Sequence, residues 1–376
     1  MNNLILPIPP LKKIYIQKSV IKTIIVRNIK KNIKKFDEYK NTKIIIIESI
    51  KVLLQSEEYI NDKENKDILA VLEHKGKFIH NCPGSDGVLC CHYFIINTGI
   101  NCSYDCDYCF LQNYTNISFL TIFANTDDLF NELESKIKRI KNTHLRIGTG
   151  EFTDSLSLDH LTQYSEILIS YFADKKNSTL ELKTKSSNIK NLLNVKNKGN
   201  TVISWSLNTE YNIKKIEKHT ASLKNRIKAA NIIAQSGYYI AFHFDPLIYY
   251  KNWKNEYSSL IRELFTNIPT NKIRWISLGT FRYSSGFKEI IKLKKINETI
   301  TKEEMFLSSD NKFRYLSLIR KEMYIFIKAL IHQINPDIFV YLCMETKEMW
   351  KKVFSEEIRS PKILDEKFEK RRKELL

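Results

Sequence analysis

No uninterrupted apolar run in these 376 residues approaches the roughly 20 needed to cross a bilayer. That excludes a helical membrane span and sets the expectation of a soluble protein. A secretory leader pattern is also missing from the N-terminus. No internal repeat is present, and the only biased tail is the short basic stretch 369–373. Arginine is scarce, 12 residues against 48 lysines, so the net charge of +18 is built from lysine. Abundant Asn and Ile accompany it, the pattern that an AT-rich genome imposes on any protein. Charge alone therefore does not separate a polyanion partner from solvated lysine-rich helix faces. Seven cysteines, an odd number in a long chain, exclude the disulfide framework of a small secreted domain.

What is present is concentrated between Asn101 and Gln112. Cys102, Cys106 and Cys109 stand there with the spacing Cys-x3-Cys-x2-Cys, and Tyr108 precedes the last of them. Three thiolates this close can hold a [4Fe–4S] cube by three corners and leave the fourth iron open. A structural zinc site would ask for four ligands, usually in two separated pairs, which this stretch does not offer. The spacing is the signature of radical S-adenosylmethionine enzymes, in which the open iron binds the cofactor's amine and carboxylate. Thiol-ligated iron points to a reducing cytoplasm.

The chain is long enough for a barrel with appendages. Residues 1–80 alternate apolar segments with the basic run 27–35 and read as a small α/β region, in which 44–47 is a buried strand and 57–66 an exposed connection. From 88 to 300, short β-branched runs alternate with segments of helical period. The expected strands are 91–98, 145–150, 179–185, 202–208, 239–247 and 273–281. Helices are expected over 126–141, 158–172, 188–196, 222–236 and 253–265. Repeated strand–helix units imply a parallel sheet, here a partial (β/α)6 barrel whose chemistry belongs at the C-terminal strand ends. Residues 301–376 form a mostly helical extension with a helix over 313–334, a strand over 338–344 and a terminal helix.

The strand ends carry polar groups. After the second strand come Gly150 and Glu151, a pairing that suits close backbone approach to a ligand and a carboxylate to receive an ammonium group. An ordinary turn in which Asp154 caps the following helix explains the same residues. On the third strand Lys183 and Lys185 share a face, and Ser204, Ser206 and Asn208 share one on the fourth. A barrel-lining lysine is costly to bury unless it meets an anion. Rim residues in contact with water are the alternative for each.

From about residue 75 the chain resembles the spore photoproduct lyases and their relatives. The resemblance is carried by Cys82, Cys90 and Cys91, the cysteine triplet, and the segments 122–128, 149–159, 182–185 and 242–246. Arg314, Tyr315 and the segment 341–345 complete it. It implies a [4Fe–4S] cluster on Cys102, Cys106 and Cys109 and bound S-adenosylmethionine, with Gly150, Glu151, Thr153, Lys185, Ser206 and Asp245 on the cofactor side. Reduction of the cluster would yield a 5′-deoxyadenosyl radical that takes a hydrogen from C6 of the methylene-bridged thymine dimer. Fragmentation would restore two thymines, and a hydrogen would be returned. Tyr108 matches a tyrosine of that return path, and Arg314 and Tyr315 match a pair at the lesion pocket. The implied partners are DNA with a flipped lesion and an electron donor such as flavodoxin or ferredoxin, acting on a cytoplasmic monomer.

Two positions depart from the family's pattern. Glu151 stands where the family has the cysteine that donates hydrogen, and Phe110 where it has a second tyrosine. A carboxyl O–H is too strong to serve as that donor, and phenylalanine has none. Cys82, Cys90, Cys91 and Cys343 are the thiols left to substitute, against a plainer reading as small buried hydrophobes. A radical enzyme of the same fold with another substrate, or a DNA-binding iron–sulfur protein without lyase activity, remains open on sequence.

Overall fold

The computed structural model describes residues 9–375 apart from 57–58, 60–65, 83, 86, 116, 141–143, 294–297 and 302. Most of the connection expected at 57–66 lies outside the described residues.

A parallel sheet is built from the six runs that the sequence marks. In sheet order they are Phe94–Ile96, Leu145–Thr149, Ser178–Thr184, Val202–Ser206, Tyr239–Leu247 and Ile273–Thr280, each hydrogen-bonded in parallel to the next. Helices between them, among them Leu223–Gln235 and Trp253–Asn267, pack on the outer face. This is a curled α/β half-barrel. Two further strands extend it: Val340–Leu342 joins the sixth strand in parallel, and Ile79–Asn81 lies antiparallel on the first.

Among the described residues the two edges do not pair, which leaves a lateral gap that Cys82 meets on one side and Leu89 on the other. Cys82 N donates to Tyr93 O at 2.8 Å on one side, and Leu89 N donates to Glu345 O at 2.8 Å on the other. His92 Nδ1 reaches Asp365 of the C-terminal helix Pro361–Glu374 at 2.6 Å.

A second, five-stranded sheet stands beside the barrel, ordered Lys43–Ile47, Lys13–Gln17, Ile68–Leu72, Leu120–Phe123 and Gly99–Ile100. Its members thus come from both sides of the first barrel strand, and its core is aliphatic: Ile14, Ile16, Ile25, Val26, Ile29 and Leu69 are fully buried.

Three expectations need correction. The isoleucine run at 44–47 is a strand, but an edge strand, with Ile44 at 38% and Ile46 at 45% exposure. A single neighbouring strand leaves its outer face uncovered, and only Ile47 is buried. The helix expected from 313 starts at Ser317, because Lys312–Arg314 pairs with Arg282–Ser284 and Phe306–Leu307 in a small antiparallel sheet. The helix expected over 158–172 is broken into Asp159–Thr162 and Tyr164–Phe172 by Gln163, whose φ of 52° lies in the left-handed region.

Candidate active site

The chain leaves the first barrel strand, pairs briefly with the neighbouring sheet at Gly99–Ile100 and enters the cysteine loop. Asn101 pins the loop's root: Nδ2 donates to Ile117 O at 2.6 Å and Phe119 O at 2.9 Å, and Thr115 Oγ1 donates to its Oδ1 at 2.8 Å. Asp105–Cys106 forms a short antiparallel pair with Glu217–Lys218. Cys109 N and Gln112 Nε2 both donate to Cys106 O, at 3.0 and 2.9 Å, which tightens the turn around the triplet.

All three cysteines are free thiols, and each lies within the electrostatic reach of another. Burial is the main influence on each. It pushes Cys102 up to about 12, with the Asp154 carboxylate adding to it and Lys66 opposing. Burial pushes Cys106 well up, with Lys185 opposing, and raises Cys109, opposed by a backbone hydrogen bond at Leu111, Lys185 and Lys66. Thiols held protonated by burial become ligands when a metal displaces the proton, and the two lysines favour the charge so formed. Among the described residues no group of three or more His, Cys, Asp or Glu side chains converges tightly enough to hold a single metal ion. The donor set offered is three thiols, the set that suits an iron–sulfur cluster held at three corners.

Beside the loop, the second strand ends in a turn that demands glycine. Gly150 has φ of 100°, and a Cβ there would lie 2.7 Å from Lys183 O. The turn carries half-buried Glu151 and buried Thr153. Asp154 ties it to the third strand: Oδ1 accepts from Thr184 Oγ1 at 2.7 Å, Leu156 N at 2.9 Å and Ser157 N at 3.0 Å, and Oδ2 from Lys185 N at 2.7 Å. Asp154 does not cap the helix as expected, since the helix begins at Asp159 with Leu158 as an N-cap lacking a side-chain bond; it closes the preceding turn instead and holds the Lys185 backbone in place. Lys185 lifts its ammonium to 5.7 Å from the Tyr108 ring.

Tyr108 donates its phenol proton to Glu217, whose other oxygen meets Arg226 Nη2 at 2.6 Å. Arg226 also donates from Nη1 to Ser206 O at 2.9 Å, so the ends of the triplet loop and the fourth strand share one buried network. Burial alone would raise the Glu217 carboxyl, but Arg226 and Lys185 hold it below its ordinary range.

The barrel interior is charged. Glu181 accepts from His243 Nε2 at 2.7 Å; burial works against its ionisation, yet His243 and Ser204 bring it down to about 2. Asp245 is gripped by Arg282 at 3.1 and 3.4 Å, and Arg282 and Lys183 overcome its burial to bring it to about 2. Lys183 faces Glu151, Asp245, Cys343 and Glu181, which together overcome burial and raise it.

Arg314 and Tyr315 are placed apart from this centre. Arg314, 3% exposed, spends its guanidinium on Asp310 at 2.6 and 3.2 Å and lies 3.7 Å from Glu345. Tyr315, 1% exposed, accepts from Tyr249 N at 3.2 Å. The structure brings the triplet, Tyr108, Gly150, Glu151, Thr153, Lys185 and Ser206 to one end of the barrel, with Asp245 deeper inside. Glu217, Arg226 and Arg282 escaped the sequence reading. No motif marks them: Glu217 and Arg226 pair across nine residues that span the start of a helix, and Arg282 meets Asp245 across 37.

Comparison with known proteins gives a consistent result. The profile of a family described as Spore photoproduct lyase matches residues 12–340. The spore photoproduct lyase of Clostridium acetobutylicum is 27% identical over 193 residues, 51% of this chain and 57% of that protein. The Bacillus subtilis enzyme is 27% identical over 177 residues, 47% of this chain and 52% of that protein. These matches span about half the length of the curated relatives. A solved spore photoproduct lyase complexed with dinucleoside spore photoproduct superimposes with a TM-score of 0.76 at 21% identity, covering 89% of this chain and 99% of that one. A mutant of such a lyase with bound AdoMet and the same dinucleoside gives 0.76 at 21%, covering 90% and 100%.

Proposed function

The chain belongs to the spore photoproduct lyase family, and on that premise we propose that it is a radical S-adenosylmethionine lyase that repairs the methylene-bridged thymine dimer of DNA. The observation that carries the reading is the triplet loop at the C-terminal end of the first barrel strand, facing the Gly150–Glu151 turn on the second. A structural or purely electron-carrying cluster needs neither an open corner nor that turn, which weighs against a DNA-binding protein without catalysis.

Cys102, Cys106 and Cys109 are assigned as the cluster ligands. When bound, the cluster and S-adenosylmethionine supply a carbon radical able to take hydrogen from an unactivated position. The remaining roles fall to the chain's own groups. Glu151 offers a carboxylate to the cofactor's ammonium where Gly150 lets the backbone come close. Lys185, held by Asp154, offers a cation to its carboxylate, and Thr153 and Ser206 offer hydroxyls at the same rim. Asp245 is kept ionised by Arg282 and Lys183, and so keeps that wall polar. Tyr108 is the phenol placed for the hydrogen-return path, with its O–H fixed on Glu217. Arg314 and Tyr315 brace the lesion wall from behind through Asp310, Glu345 and Tyr249.

The substrate sets a balance that the protein must meet. Removing hydrogen from C6 lets the bridging carbon–carbon bond break. One thymine is released complete, and the other keeps a methylene radical that lacks one hydrogen. A flipped lesion in a duplex needs a cationic surface to hold the backbone, and the net charge of +18 is compatible with one. A one-electron donor of the flavodoxin or ferredoxin class, a monomeric state and a cytoplasmic setting complete the proposal. No helix among the described residues is long and apolar enough to cross a membrane.

A second reading, the same radical chemistry on a different substrate, is favoured by Glu151 at the family's donor position and by the complete pairing of Arg314. Anaerobic reconstitution with iron and sulfide, followed by reduction and addition of S-adenosylmethionine and a spore-photoproduct dinucleotide, separates the two. Deoxyadenosine together with thymine dinucleotide is the expected result. Deoxyadenosine without repair moves the assignment to the second reading, and absence of both overturns it.

A further inference from the structure

At the other end of the barrel, away from the triplet, lies a charged cavity that the reaction proposed above does not use. His144, Arg146, Thr179, Arg274 and Trp275 stand there, at the N-terminal ends of the second, third and sixth strands, and the helix Pro361–Glu374 supplies the facing wall. The cavity holds about 20 Å³, room for a single small ion and not for a nucleotide. Arg274 is 1% exposed, yet its Nε and Nη2 meet no hydrogen-bond partner among the described residues. Its guanidinium lies 3.9 Å from the centroid of the Tyr239 ring. The carboxylates of the helix wall are already engaged: Glu369 accepts from Arg372 at 2.5 and 2.8 Å, and Asp365 meets His92 at 2.6 Å. Arg146 gives one N–H to Cys91 O and rests its guanidinium 3.3 Å from the centroid of the Phe368 ring. Burial draws the Arg274 guanidinium down to about 10; Tyr239 opposes this, and the neighbouring cations Arg372 and Arg371 add to it.

We propose that this cavity is a binding site for a small inorganic oxyanion of the phosphate class, held by the Arg274 guanidinium against the terminal helix. The chemistry of the unused atoms selects the ligand. Every unpartnered buried polar atom on the residues that line the cavity is a donor: Arg274 Nε and Nη2, and the indole Nε1 of Trp275. Beside them Arg371 has a free buried Nε as well, while its Nη2 donates to Ile273 O at 3.1 Å. Nε and Nη2 of one guanidinium form the fork that makes two parallel hydrogen bonds to a carboxylate or phosphate. A buried cation without a counter-charge is costly, and an acceptor that carries negative charge removes that cost. The size of the cavity then favours a free ion over an anionic metabolite. A bound oxyanion would tie the sixth strand to the terminal helix, whose Asp365 also holds His92 just before the first strand. The site does not depend on the lyase reading, because none of its residues belongs to the cluster or cofactor end.

Calorimetric titration of the full-length chain with sodium phosphate, against sodium chloride at matched ionic strength, reads the site directly. One phosphate per chain should bind, and Arg274→Gln should weaken its Kd by about tenfold or more, the worth of a charge-assisted pair of hydrogen bonds. No binding beyond that of chloride means that the cavity holds only water and overturns the proposal. Phosphate binding of equal strength in Arg274→Gln overturns it too. Thymidine monophosphate should not displace the phosphate; displacement would overturn the assignment to a free ion. Hydrogen exchange of the wild-type chain supplies a readout that needs no variant. Phosphate should slow exchange in the helix Pro361–Glu374 and leave the five-stranded sheet unchanged. Equal exchange of that helix in phosphate and in chloride overturns the placement, even where the glutamine variant does not fold.

Discussion

The five-stranded sheet and the barrel interior are packed by opposite rules. Among the described residues before 82, Asn32 is the one polar side chain, tyrosine aside, in the buried class. The barrel and its extension bury Glu181 with His243, Glu217 with Arg226, and Arg314 with Asp310, Glu345 and Arg320. Aliphatic burial stabilises at about 25 cal/mol per Å² without demanding a particular partner. A buried ion pair contributes little net stability, because desolvation offsets most of the attraction, yet it fixes direction and spacing. The difference locates the chemistry: one region holds itself together, and the other spends stability on holding charges at set places.

The sharpest way to break the comparison is to delete one sulfur. Cys106→Ala should abolish deoxyadenosine formation and the cluster's visible absorption, while the urea midpoint of the cluster-free chain moves little. Next comes Glu217→Ala, which leaves the fully buried Arg226 without its anion. A loss of about 3–5 kcal/mol is expected by urea denaturation, the cost of an orphaned buried charge, together with a change in the near-ultraviolet signal of Tyr108. Ile16→Ala, at a fully buried position of the other sheet, should cost about 2–5 kcal/mol through the cavity it leaves. Its yield of deoxyadenosine per bound cluster should stay at the wild-type value. An equal loss of yield from Ile16→Ala would mean that the two regions are not separable in this way. Gly150→Ala should cost about 1–3 kcal/mol, since φ of 100° and a contact 2.7 Å from Lys183 O both oppose a side chain, and the cofactor's apparent affinity should fall with it.

How much of this was legible in the sequence follows the same divide. The six barrel strands were readable because each is a β-branched run between helical periods, and 239–247 was found to the residue. The triplet was readable because its spacing is local. The isoleucine run at 44–47 misled because a strand's own residues do not say whether one neighbour or two will pair with it. The start of the helix at Ser317 was missed because Phe313 continues the apolar period of the helix while pairing with Tyr283 across the small sheet. Hardest were the charges. Tyr108 and Glu217 are 109 residues apart, and Arg314 meets Glu345 across 31 positions, so neither pairing leaves a pattern in any short window. Burial of such groups becomes visible only when the sheet curls and faces them toward one another.

The smallest effect, and the one that separates the regions by pH alone, comes from Glu181 and Asp245. Both fold into sites that lower them to about 2, Glu181 by His243 and Ser204 against its burial, Asp245 by Arg282 and Lys183 against its own. A carboxyl whose folded value lies below its unfolded one binds fewer protons when folded. Its contribution is complete above the ordinary carboxylate range near 4 and drains away as pH falls toward 2. At neutral pH neither group gives a slope, so the expected change is confined to acid. Chemical denaturation of the cluster-free chain at steps between pH 5 and 2 should show stability falling with pH. Glu181→Gln should flatten that fall, because glutamine cannot titrate, while a variant of the aliphatic sheet such as Ile16→Val should shift the curve down without changing its slope. A Glu181→Gln curve parallel to the wild type would show that the His243 pair does not carry the acid sensitivity, and would leave it to the other lowered carboxyls, Asp245, Glu217 and Asp310.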